Sequence, residues 1–173
     1  MNELYEKYAT EIDEIFTRYP ADQRNAAVMP LIFLAQRERG FVPEEALPQI
    51  SELTGVSETD IRGLLGFYTL FHEQPGGRYR IQVCTDLPCA LRGAEKYLQD
   101  LCAALGVTEG GTTSDDLFTV QAVKCLAACH RAPVFQLQGD GTIKYYENQS
   151  VERTLQVIAG IRELHTSKGG SIG

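Results

Sequence analysis

A bundle of short helices followed by a β-α-β-β-β-α domain, a mixed α+β or α/β plan, is the architecture this 173-residue sequence predicts, and three observations carry it. Apolar residues in the first part recur at helical spacing, whereas from residue 79 onward they alternate as in strands. The stretch Gln74-Pro75-Gly76-Gly77 separates the two rhythms. Charge divides at the same place: residues 1–78 hold 7 basic and 13 acidic side chains, a net of −6, while residues 79–173 hold 9 and 10, a net of −1. All five cysteines lie in the second part. The expected division is 1–77 for the helical bundle, 78–165 for the second domain and 166–173 for a small, polar, disordered tail.

Each element has its own signal. Leu4, Tyr8, Ile12, Ile15 and Phe16 fall on one helical face. A second helix is expected from about Asp22 to Arg39, stopped by Gly40, with Pro30 kinking it or marking an early turn. A third should run from near Pro43 to Gly55. Ser57, with Asp60 at the third helical position, has the form of an N-cap and predicts a fourth. The aromatic run Phe67-Tyr68-Thr69-Leu70-Phe71 fits either core or a partner-facing patch. Beyond the Gly-Gly turn, Tyr79 to Cys84 alternates as a strand, residues 90–105 read as a helix, and Leu117 to Lys124 as a second strand. Val134 to Gln138 and Ile143 to Tyr146 flank Gly139-Asp140-Gly141, a hairpin signal, and a last helix should span about Val151 to Leu164. A strand, a crossover helix and a second strand imply a parallel pair that the hairpin then extends. That is the plan of a thioredoxin-like domain.

Composition removes several function classes. A net charge of −7 argues against a nucleic-acid or anionic-membrane surface, which needs clustered Lys and Arg. No run approaches the roughly 18–20 apolar residues of a membrane span, so no direct membrane insertion is expected. The start MNELYEKYATEIDEIF is acidic and amphipathic, unlike a signal peptide. A reducing compartment is therefore expected, where spaced cysteines serve as metal ligands or redox centres more often than as disulfides. No strand–GxGxxG–helix unit, Ser/His/Asp set or carboxylate pair is present, so no catalytic residue is assigned and no dinucleotide or flavin is expected on this chain.

The chemistry concentrates in two cysteine pairs, Cys84-Thr-Asp-Leu-Pro-Cys89 and Cys125-Leu-Ala-Ala-Cys129. Cys84 ends the first predicted strand and Cys125 follows the second, so parallel pairing places the two pairs at one sheet edge. Four thiolates there suit tetrahedral zinc or a two-iron, two-sulfide cluster in which each iron takes two cysteines. A dithiol redox pair is a third reading, but that chemistry prefers C-x-x-C, which is lacking here. Four buried structural thiols are the fourth. Gaps of four and three residues favour the larger cluster over the tight C-x₂-C knuckles of structural zinc.

Over a much longer context the chain resembles the [2Fe-2S] 24 kDa-type subunit of respiratory NADH:quinone oxidoreductase (complex I). The similar segments are AAVMPLI at Ala26 to Ile32, GFYTLFHEQPGGRYRIQVCTDLPC at Gly66 to Cys89 and LRGAEKYL at Leu91 to Leu98. DLFTVQAVKCLAACHRAPV at Asp116 to Val134 and YYENQS at Tyr145 to Ser150 complete them. The resemblance implies a thioredoxin-like fold with Cys84, Cys89, Cys125 and Cys129 as cofactor-binding residues, the ligands to the iron of one [2Fe-2S] cluster. It also implies a helical bundle that docks on the flavin-bearing NADH-oxidising subunit, with FMN and NADH bound by that partner. The large iron–sulfur subunit of the same module would be a neighbour. The implied location is the peripheral arm on the cytoplasmic side of a bacterial inner membrane, and the implied role is electron transfer as a subunit of an NADH dehydrogenase. NAD-linked hydrogenases and formate dehydrogenases have similar small subunits, and a zinc-stabilised interaction module is the reading from another class.

Two positions depart from the family's ECLGAC pattern: Lys124 stands before the third cysteine, and Ala127 stands where a glycine is usual. Ala127 is costly if that position has positive φ. Lys124 is expected to favour a reduced, more negative cluster, with Arg92 and Arg131 adding less. Cys102, inside the apolar run LCAAL, reads as a core thiol, and His130 as a neighbour of the site rather than a ligand. His72 and His165 read as surface or packing residues. Pro133 is a candidate for a cis peptide.

Overall fold

A computed structural model describes residues 2–169. The chain forms two compact units, Met1–Pro75 and Gly76–Gly173.

The first unit is helical. Helix α1 (Glu3–Phe16) starts where the Asn2 side chain accepts from the Tyr5 amide, with Glu3 and Glu6 in its first turn complementing the helix dipole. Non-helical dihedrals at Tyr8 kink it, and Leu4, Ile12 and Ile15 are its buried residues. The single helix expected over 22–39 is instead a 3₁₀ turn, Arg24–Ala27, followed by α2 (Val28–Gln36). The reason is Pro30. As the third residue of α2 it lies in the first turn, where a missing N–H costs no hydrogen bond, and it could not have sat deeper in a longer helix. Helix α3 (Ala46–Thr54) starts later than expected, after turn bonds from Ala46 and Leu47 to the carbonyls of Pro43 and Glu44. It ends at Gly55, whose φ of +74° supplies the left-handed cap. Ser57 caps α4 (Glu58–Phe67), its Oγ accepting from the Asp60 amide at 3.1 Å. Leu31, Ile32, Leu47, Ile50 and Ile61 are fully buried in the shared core. The aromatic run divides: Phe71 is buried against Phe33, with ring centroids 4.6 Å apart, while Phe67 remains 77% exposed.

The second unit is a four-stranded sheet in the order β2-β1-β3-β4. Strand β1 (Tyr79–Cys84) pairs parallel with β2 (Phe118–Val123) and antiparallel with β3 (Phe135–Gly139), and β4 (Thr142–Tyr146) closes the hairpin. Asp140 and Gly141, with φ of +49° and +69°, form the two-residue turn, which matches the preference of tight hairpins for Asp-Gly. The helix expected over 90–105 is two pieces, α5 (Leu87–Ala90) and α6 (Ala94–Leu105), separated at Gly93 by a φ of +87°. Helices α6 and α7 (Val151–Gly169) pack on one sheet face: Tyr97, Leu101 and Ile158 meet Ile81, Val83, Phe118, Val120 and Phe135. The alternate residues of β1, Arg80, Gln82 and Cys84, belong to the other face and are buried too. Gln136 Nε2 donates to Gln82 Oε1 at 2.5 Å, so this second buried face carries polar groups that satisfy one another.

Near the hairpin turn, the Asp140 carboxylate accepts from Arg78 Nε at 2.7 Å and from the Tyr79 hydroxyl, which also lies 2.9 Å from His165 Nε2. The tail expected to be disordered from 166 is helical as far as Gly169. The Thr166 hydroxyl donates to the Arg162 carbonyl and helps carry the helix past Leu164. Residues 170–173 of that expected tail lie outside the described residues.

Candidate metal centre

Strand register decides which groups meet at the end of the sheet. Cys84 ends β1 with its amide donating to the Val134 carbonyl, and the next amide, Thr85, donates to the Val123 carbonyl at 3.0 Å. The last residues of β1 and β2 are therefore side by side, and Cys125 follows two residues beyond β2. The short helix α5 brings back Cys89, whose amide donates to the Asp86 carbonyl at 2.8 Å. Cys129 opens a 3₁₀ turn, Cys129–Arg131.

Cys84 and Cys89 are fully buried, Cys129 is half-buried and Cys125 is exposed. The first two lie in an apolar shell of Ala94, Val123, Leu126, Ala128, Ala132 and Val134, with Cys129 packed against it. The Cys89 pKa is pushed up to about 12, chiefly by burial and then by the neighbouring Cys84 and Cys129 thiols. Three of the four expected sulfur ligands thus share one apolar cluster, and Cys125 is exposed. Among the described residues no three His, Cys, Asp or Glu side chains are gathered as for a single metal ion.

The donor set fits a two-iron cluster. It is all sulfur, it comes as one cysteine pair from each of two chain segments, and apolar side chains pack around Cys84 and Cys89. The second loop is held at several points. Arg92 Nε donates to the Ala132 carbonyl at 3.4 Å, Asn148 and Gln149 amides donate to the Arg131 and Pro133 carbonyls, and Arg131 pairs with Glu147 at 2.8 Å. The Ala132–Pro133 peptide is cis. His130 is exposed and its Nε2 accepts from Arg131 Nε. Cys102 is buried in the other apolar cluster, on α6. His72 is buried in the first unit, where its amide donates to Gln36 Oε1. The sequence signals neither the Arg92–Ala132 tie nor the Tyr79–His165 contact, because each joins residues 40 or more positions apart.

Two non-glycine residues of the second loop have left-handed backbones, Cys125 at φ +49° and Ala127 at φ +56°. A Cβ there costs roughly 1–2 kcal/mol, partly offset by the larger unfolded-state entropy of glycine. Ala127→Gly is therefore expected to stabilise the chain by about 0.5–1 kcal/mol. Urea unfolding with an unchanged or lower midpoint would show that the loop is not strained there.

Residues 12–162 match the family described as thioredoxin-like [2Fe-2S] ferredoxin. NADH-quinone oxidoreductase subunit 2 of Thermus thermophilus is 38% identical over 151 residues, covering 87% of this chain and 82% of its own length. A subunit of NADH-quinone oxidoreductase from Rhizobium meliloti is 38% identical over 152 residues, covering 88% of this chain and 87% of its own. Among solved structures, an NAD⁺-reducing [NiFe]-hydrogenase in the air-oxidised state aligns with 84% of this chain and 24% of that one. Its TM-score is 0.60 at 20% identity, which is a likeness of fold.

Proposed function

This chain belongs to the thioredoxin-like [2Fe-2S] ferredoxin family, and from that premise we propose that it is the electron-transfer subunit of an NADH:quinone oxidoreductase, holding one cluster through Cys84, Cys89, Cys125 and Cys129. The observation that carries the reading is the packing of Cys84, Cys89 and Cys129 in one apolar cluster beside the parallel ends of β1 and β2, with Cys125 in the loop that follows β2. When bound, the cluster supplies a one-electron couple. The chain itself provides ligands, insulation and local charge. Cys84 and Cys89 are shut off from water by Val134, Val123 and Ala94, whereas exposed Cys125 marks where that shell is thinnest. Lys124 places a cation in the second loop, and Arg131 is largely neutralised by Glu147. Electrons are exchanged with the flavin of the neighbouring NADH-oxidising subunit, which binds FMN and NADH. The large iron–sulfur subunit lies in the same module. No helix of the described residues is long and apolar enough to cross a membrane. The place we propose for the chain is the peripheral arm, on the cytoplasmic side.

Iron and acid-labile sulfide on anaerobically purified protein, with EPR after dithionite reduction, test this directly. About two irons and two sulfides per chain and a rhombic signal from one unpaired spin are expected. Zinc, or four free thiols without metal, would replace the redox role with that of a zinc-stabilised or purely structural interaction module.

A further inference from the structure

Strand β2 is an edge of the sheet, and its outer side is only partly covered. The amides of Tyr79 and Thr85 donate to the Leu117 and Val123 carbonyls, and alternate residues of a parallel strand bond to the same neighbour. Leu117, Thr119, Gln121 and Val123 therefore serve the ladder with β1, while Phe118, Val120 and Ala122 direct their backbone groups outward. Thr113 donates to the Phe118 carbonyl, and Val120 exchanges bonds with Gly110 and Gly111. That cover ends at the turn closed by the Gly111 amide on the Thr108 carbonyl, and among the described residues no backbone partner meets Ala122 on its outer side. Ala122 lines a groove of about 680 Å³ together with Leu98 and Cys102 of α6, Val107, and the carboxylates of Glu95 and Glu109. We propose that this groove binds an extended, basic segment of a partner protein, which pairs with β2 at Ala122, sets an apolar side chain against Leu98, Cys102 and Val107, and places cations on Glu95 and Glu109. None of the four cluster cysteines lines the groove, so the inference stands apart from the cluster-carrying function.

An uncovered strand edge is a template for an added strand. Side chains of an added strand alternate between the sheet faces, so every second one falls on the α6 side, where the groove receives it. Charge selects the chemistry of the occupant. Glu95 and Glu109 are both exposed, and among the described residues neither belongs to an ion pair. Lys124 also lines the groove, but its Nζ donates to Thr85 Oγ1 at 3.2 Å. Thr85 follows β1, on the inner side of β2, so the lysine reaches across the end of the sheet rather than over the open edge that a guarding lysine would cover. Both carboxylates are thus left to an incoming cation.

Fluorescence anisotropy of the labelled peptide TRTLTRT with the intact chain tests this, because an extended TRTLTRT carries its leucine and both arginines on one face. Saturable binding below about 1 mM is expected, with TETLTET at least about fivefold weaker. Glu95→Gln/Glu109→Gln should weaken TRTLTRT about fivefold and flatten its salt dependence. Ala122→Pro removes an outward N–H that the ladder does not use, so circular dichroism should be unchanged while binding falls about tenfold or more. Peptides N-methylated on alternate amides put the same question to the wild-type chain, and decide it even where Ala122→Pro fails to fold. One methylation pattern blocks the edge that faces β2 and should abolish binding, and the other should spare it. No saturable binding, equal binding of the two methylated peptides, or an unchanged affinity in a folded Ala122→Pro chain would overturn the added strand. TETLTET binding as tightly as TRTLTRT, or an unchanged affinity in the double glutamine variant, would overturn the basic occupant. A wild-type chain that dimerises where Ala122→Pro remains monomeric would give the groove to a second copy and overturn the proposal.

Discussion

Cys89→Ala should purify as a folded chain without its cluster, with iron falling from about two per chain to near zero and the EPR signal lost. Cys89 lies fully buried in the apolar cluster that also holds Cys84 and, packed against it, Cys129. Its burial makes rescue by solvent or a displaced side chain sterically remote. The substitution removes one sulfur from an apolar shell, so the stability loss should stay near ~1 kcal/mol and the circular dichroism unchanged. Cys102→Ala is the matched control. That thiol is also buried, but it packs in the other apolar cluster against α6 neighbours, and its loss should leave iron content untouched. A Cys89→Ala chain that keeps two irons, or a Cys102→Ala chain that loses them, would contradict the ligand assignment.

The largest loss of stability is expected at Phe118. It is fully buried where β2 begins, its ring stacks on Tyr79 at 5.6 Å and 26°, and the Arg162 guanidinium covers it at 5.6 Å. The surrounding backbone cannot collapse into the space. The Phe118 amide and carbonyl are bonded to Thr113, and a Cβ added at Gly77 would already lie 2.7 Å from the Phe118 nitrogen. Phe118→Ala should therefore leave a cavity and cost about 3–5 kcal/mol, a large share of the roughly 5–15 kcal/mol typical of a domain. Phe118→Leu should cost clearly less. Equilibrium urea unfolding that places Phe118→Ala within about 1 kcal/mol of wild type would mean the sheet repacks around the loss.

What the sequence could and could not convey follows from the range of the interactions involved. Helix ends at Gly55 and Ser57 and the Asp140-Gly141 turn are decided by neighbours in the chain, and each reads directly from residue type. The breaks at Pro30 and Gly93 fall at residues that mark them, but where each helix resumes depends on packing. The alternation in Tyr79-Arg80-Ile81-Gln82-Val83-Cys84 locates a strand yet implies a wet second face. Arg80 and Gln82 are instead buried, and Gln82 is matched by Gln136, 54 residues later. At the cysteines, spacing and strand order predict convergence. They do not convey that Cys125 is exposed while Cys84 and Cys89 are fully buried, nor that Cys125 and Ala127 take left-handed backbones.

The two halves of the centre also keep different time. Strand β1 is flanked on both sides, all six of its residues are buried, and the amides of Cys84 and Thr85 are bonded to Val134 and Val123. In native-state hydrogen exchange those amides should open only with global unfolding, whereas the loop holding Cys125 and Ala127, off the sheet and partly exposed, opens locally. One pair of cysteines thus waits on a frame that persists as long as the fold does. The other sits on a segment expected to open locally within that lifetime, which would let a ligand set be completed without the fold coming apart.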